Sequence, residues 1–113
     1  MLINTLCIFG TRPEAIKMAP VLQQLEADVR FNSKICVTGQ HQQMLDSVLN
    51  LFQITPDFNL HVMTENQDLS HLTAKILTGL ADVFKQYKPD IVLVHGDTTT
   101  TLAASISAYY HRI

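Results

Sequence analysis

No apolar run in this chain approaches the length that crosses a membrane. No basic stretch near the N-terminus leads into a signal-like apolar segment with a cleavage site. The expectation is a cytoplasmic protein with no membrane partner. Charge is scarce and nearly balanced, with 8 Lys and Arg against 10 Asp and Glu, a net charge of −2 and a pI near 6.2. Nothing there makes a polyanion-binding surface, so nucleic acid is not expected as a partner. There are only two cysteines, Cys7 and Cys36, and both fall in apolar strand-like runs without a CxxC spacing. They read as buried free thiols in a reducing compartment. The five histidines are scattered without ligand spacing, so no metal site is expected. No Gly-x-Gly-x-x-Gly follows the first strand and no Walker lysine pattern occurs, which argues against a nicotinamide dinucleotide and against an ATPase. Repeats, linkers and low-complexity segments are absent.

What remains is 113 residues, 47% hydrophobic and 16% charged, enough for one small domain with a buried core. Apolar runs alternate with helical periodicity. Strand one is read over residues 2–9, nearly continuous in apolar character, as in a parallel sheet buried on both faces. Helix one follows over 12–28, with Ile16, Ala19, Leu22 and Leu25 as its apolar face and a kink at Pro20. Strand two is read over 34–38. Helix two carries Met44, Leu45, Val48, Leu49 and Phe52. A short outer strand is read within 58–63. Helix three, capped by Asp68 or Ser70, carries Leu69, Leu72, Ile76, Leu80, Val83, Phe84 and Tyr87. Ile91–Val94 is the most apolar run and reads as a core strand. Helix four begins at Thr98–Thr101 and carries Leu102, Ile106, Tyr109 and Tyr110, while Ala103, Ala104, Ser105, Ser107 and Ala108 let it lie close to a sheet.

Right-handed crossovers turn this βαβαβαβα series into an α/β, Rossmann-like parallel sheet with helices on both faces. The expected order is 3-2-1-4, with the switch point between strands one and four. Strand four would then be an open edge, although it carries none of the charge, proline or bulge that usually blunts edges. The expectation is that a further strand belongs beside it, so that residues 1–113 form part of a domain whose remainder is absent. An oligomer or an unusual terminus covering the edge is the alternative.

Ligands in such sheets bind beyond the carboxyl ends of the strands. The polar punctuation lies there: Gly10-Thr11-Arg12, Gly39-Gln40-His41 and His95-Gly96-Asp97. Thr11 and Glu14 fit a capping box, and Pro13 suits a first helical turn. Arg12 and Lys17 therefore bring positive charge to a helix end that is already partly positive, at a cost of a few tenths to about 1 kcal/mol each. A bound anion would reverse that sign. The alternative is that Arg12 is solvated and Lys17 pairs with Glu14 at i,i+3. Asp97 faces the same crevice and could act as a general acid or base or hold a sugar hydroxyl. Spacing alone favours the N-cap of helix four for it, a role compatible with the first. His95 and the threonine hydroxyls could likewise meet a ligand, or bond to backbone and cap the helix.

Gly10-Thr11-Arg12-Pro13-Glu14-Ala15-Ile16-Lys17-Met18-Ala19-Pro20, Thr38-Gly39-Gln40-His41 with Met44-Leu45, and Val94-His95-Gly96-Asp97-Thr98-Thr99-Thr100 together resemble the non-hydrolysing UDP-N-acetylglucosamine 2-epimerases. The resemblance runs the length of the chain. It implies the N-terminal half-domain of a two-domain, glycosyltransferase-B-like fold, and reversible conversion of UDP-GlcNAc to UDP-ManNAc through elimination and re-addition of UDP. It implies no cofactor, and a homodimer that supplies polysaccharide biosynthesis. By position, Arg12 and Lys17 match substrate-binding residues and Asp97 a carboxylate that binds substrate and serves catalysis. Gln40, His41 and Gln43 match a segment associated with an allosteric nucleotide-sugar, although Gln42 stands where many relatives carry arginine. Other catalytic groups and the uridine-binding domain of the family are not among these residues, so the segment alone is expected to be inactive. A UDP-sugar glycosyltransferase of the same fold and a non-catalytic nucleotide-sugar-binding module are the competing readings.

Overall fold

The computed structural model describes residues 1–40 and 42–113. Eight elements alternate: β1 (Ile3–Phe9), α1 (Arg12–Ala27), β2 (Phe31–Val37), α2 (Gln42–Leu51), β3 (Phe58–Asn59), α3 (Leu69–Gln86), β4 (Ile91–Leu93) and α4 (Thr99–Tyr110). The four strands form one parallel sheet in the order β3-β2-β1-β4. This is the order expected, and β1 is an inner strand.

Pleating splits the strand residues between two cores. Cys7, Phe9 and Val37 face Ala15, Met18 and Leu22 of α1 and Leu45, Val48 and Leu49 of α2. Leu6, Ile8 and Cys36 face Leu72, Ile76, Leu80, Val83 and Phe84 of α3 and Ala103 and Ala104 of α4. Helices thus cover both faces. Cys7 and Cys36 lie on opposite sides of the sheet and both are free.

Several sequence expectations need correction. The buried face of α1 is Ala15, Met18, Ala19 and Leu22, while Ile16 is 44% exposed. Both sets have helical spacing, and packing against β1 and α2 selects one. Pro20 does not interrupt α1, which runs from Arg12 to Ala27 with the proline on its exposed side. β2 starts at Phe31 because it pairs with the whole of β1, from Ile3↔Phe31 to Phe9↔Val37. Its polar first half is held by that ladder and by an Asn32–Asn4 side-chain bond of 3.1 Å. β3 has only two residues because His61 turns to φ 51. The backbone still tracks β2 through bonds from Leu60 N to Val37 O and from Val62 N to Thr38 O, each 3.0 Å.

Leu69 is exposed beside the Asp68 cap, which accepts from His71 N at 2.8 Å. On α4 the small residues meet the core, with Thr100, Ala103, Ala104, Ser107 and Ala108 buried. Leu102, Tyr109 and Tyr110 point outward. Val92 of β4 and the following Val94 pack against one core and Leu93 against the other, but as an edge strand β4 leaves these residues half-buried and Ile91 exposed.

Candidate functional site

β1 ends at Phe9, and the chain turns through Gly10 and Thr11 into α1. Gly10 is required by close approach, because a Cβ there would stand 2.1 Å from Thr38 Oγ1. The β1–α1 turn is tied by Glu14. Its Oε1 accepts from Thr11 N (3.0 Å), from Thr11 Oγ1 (2.7 Å) and from Gly10 N (3.3 Å). This is the expected capping box, with the threonine hydroxyl also turned onto the carboxylate. Oε2 points elsewhere and accepts from Thr98 Oγ1 at 3.1 Å, across 84 positions of sequence. The Glu14 side chain is buried.

That burial decides the fate of the cations. Lys17 does not pair with Glu14; the ion pairs among the described residues are Asp28–Arg30, Asp57–Lys34, Asp68–His71 and Asp82–Lys85. Arg12 and Lys17 are exposed, and neither has a carboxylate partner among the described residues. Two cations at a helix N-terminus are left uncompensated there. That is the arrangement an anion would stabilise.

At the end of β4 the roles differ from those expected. Thr98, not Asp97, is the N-cap of α4 and accepts from Thr101 N at 3.4 Å. Thr101 Oγ1 donates to His95 O at 2.9 Å. Asp97 is exposed, and its carboxylate makes no hydrogen bond or ion pair among the described residues. Gly96 adopts φ +88, so a side chain there would be strained even in open space. Lys17, His95 and Asp97 line one depression of about 330 Å³ with Thr11, Pro13 and Thr98. Arg12 lines an adjoining concavity that shares Thr11 and Pro13 and adds Met44. Arg12, Lys17 and Asp97 are thereby brought to one end of the sheet, around the β1–β4 switch point.

The β2 segment joins them from the other side. Gln40 Oε1 accepts from Thr38 Oγ1 (3.0 Å) and from Thr100 Oγ1 (3.1 Å). All three polar segments therefore converge. Gln43 is exposed in the first turn of α2. His41 lies outside the described residues. Sequence reasoning missed the two cross-links, Glu14–Thr98 and Gln40–Thr100, because neither leaves a local spacing signal. Among the described residues no cluster of His, Cys, Asp and Glu could hold a metal ion, and no helix is long and apolar enough to cross a membrane.

Comparison with known proteins gives one answer. The sequence profile of the family described as UDP-N-acetylglucosamine 2-epimerase matches residues 23–113. The chain is 56% identical over 110 residues to the UDP-N-acetylglucosamine 2-epimerase of Escherichia coli K12, covering 97% of this chain and 29% of that protein. The enzyme of Yersinia pestis gives the same identity and the same shares. Among solved structures, the UDP-GlcNAc 2-epimerase of Neisseria meningitidis bound to UDP-GlcNAc superposes with a TM-score of 0.92 at 53% identity, over 98% of this chain and 30% of that one. The Methanocaldococcus jannaschii enzyme in complex with UDP-GlcNAc and UDP gives 0.90 at 32% identity, over 98% and 31%. The chain thus spans about 30% of the length of the relatives it matches.

Proposed function

Because this chain belongs to the UDP-N-acetylglucosamine 2-epimerase family, we propose that its switch-point crevice takes UDP-GlcNAc and serves its reversible conversion to UDP-ManNAc. Arg12 and Lys17 hold the diphosphate, whose negative charge rises as it leaves. Asp97 binds the sugar and handles the proton at C2. The reaction is an elimination and a re-addition. The C2 proton is removed, the C1–O bond breaks with its electrons going to UDP, and a C1=C2 double bond forms. UDP then returns to C1 and a proton is delivered to the opposite face of C2. The chemistry is redox-neutral and draws on no cofactor. Gln40, His41 and Gln43 are read as the edge of a second, regulatory nucleotide-sugar site. The same reading gives a cytoplasmic homodimer feeding polysaccharide biosynthesis.

The observation that carries this reading is the pair of exposed cations at the start of α1, without a carboxylate partner among the described residues, beside an Asp97 that does not cap α4. The test is a graft in which this segment replaces the matching 110 residues of the Escherichia coli relative. The graft is expected to form UDP-ManNAc. Arg12→Ala and Lys17→Ala should each lower its kcat/KM about 100-fold, the scale of losing one preorganised contact to developing charge, with the melting temperature unchanged. Parent-like kinetics in Arg12→Ala would remove that residue from the site.

A further inference from the structure

We propose that Glu14 is a positioning residue, which fixes the distance between the cations of α1 and Asp97 by clamping Thr98. Its two carboxylate oxygens serve two different segments. Oε1 is occupied by the β1–α1 turn, at Gly10 N, Thr11 N and Thr11 Oγ1. Oε2 takes the hydroxyl of Thr98, which directly follows Asp97. A capping box needs only the first set. The second set carries the inference, since it joins residues 84 positions apart through a buried carboxylate. Thr98 in turn holds the first turn of α4, where Thr101 N bonds its hydroxyl and Leu102 N bonds its carbonyl.

The loop that bears Asp97 is otherwise tied at His95, whose carbonyl accepts from Thr101 Oγ1 at 2.9 Å, and that bond lies on the far side of Gly96. A Cβ on Gly96 would meet nothing within 4 Å, and the Asp97 side chain makes no bond among the described residues. A hydrogen bond to a buried charged group is among the stronger ones available. A misplacement of about 1 Å at a reacting group costs on the order of 100-fold in rate, so a clamp here has a catalytic consequence. That consequence rests on the function proposed above, whereas the clamp does not.

Amide hydrogen exchange in the 113-residue chain tests the clamp. Glu14→Gln should speed exchange at Thr101 and Leu102 by about tenfold, with Leu72 in the first turn of α3 unchanged. Acceleration confined to residues 10–15 would reduce Glu14 to a local cap and overturn the proposal. The catalytic arm uses the graft and substitutions at Thr98. Thr98→Gly keeps a serviceable helix cap but has no group to donate to Glu14. It should lower kcat about tenfold or more, with KM moved less than about threefold and the melting temperature kept. Thr98→Ser, which retains the hydroxyl, should restore most of kcat. Parent-like kcat in Thr98→Gly, or an equal loss in Thr98→Ser, overturns the positioning role. A graft that never forms UDP-ManNAc refutes the proposed function instead, and the exchange experiment still decides the clamp.

Discussion

Lys17 stands one helical turn from Glu14, and the two do not form an ion pair. The i,i+3 rule supplies a few tenths of a kcal/mol at an exposed surface. Glu14 instead satisfies backbone and hydroxyl donors inside the protein, where leaving them unmade costs about 1–3 kcal/mol each. The stronger demand wins, and the lysine is left for another partner. The cysteines show the same dominance of environment. Burial, with the Glu14 charge second, pushes the Cys7 thiol up to about 12, and burial does the same to Cys36, with Cys7 second. Both should resist alkylation at pH 8 until the chain unfolds, which mass spectrometry with and without urea would read. A pKa raised in the folded state contributes fully below the ordinary thiol value of 9.0, and its contribution is eroded as pH rises from there toward about 12. Urea midpoints should therefore fall across that window, and less steeply in Cys36→Ala.

At the scale of elements, α4 shows what periodicity can and cannot say. Its start and its close approach to the sheet were legible, because small residues recur at Ala103, Ala104 and Ser107. Which face turns inward is settled by the narrow space against the sheet, which admits alanine and leaves Leu102 and Tyr109 outside. Ala104→Leu should cost about 1–3 kcal/mol by overpacking. Leu102→Ser on the outward side should stay within about 0.5 kcal/mol. Urea unfolding of the two variants checks the pair. The strand order, the caps of α1 and α3 and the converging loops were likewise readable, since each has a local signature in apolar runs, glycines and capping residues. The length of β2 was not, because its first half is recruited by β1 and not by its own hydrophobicity. Nor was the capping of α4 by Thr98, since Asp97 and Thr98 are both good caps and adjacent. Arg12 and Lys17 were legible as misplaced charge and Asp97 as polar punctuation after β4, while the Glu14–Thr98 contact needed the folded chain.

For the molecule as a whole, the crevice has one wall. Arg12, Lys17 and Asp97 line open depressions on a chain that spans about 30% of its relatives' length. A nucleotide-sugar bound there would be contacted from one side, and desolvation, which strengthens electrostatic contacts, would be incomplete. The isolated 113-residue chain should form no UDP-ManNAc in a coupled assay at substrate concentrations that saturate the graft. Measurable turnover by the chain alone would show that these residues suffice.

The order β3-β2-β1-β4 also sets a timetable. Thr5 of the inner strand pairs with Ile91, which leaves the ribosome 86 residues later. At roughly 5–20 residues per second, one flank of the nascent β1 stays bare for about 4 to 17 s. A slow translation stretch before β4 would lengthen that exposure and leave the bare flank open longer to pairing with another nascent chain.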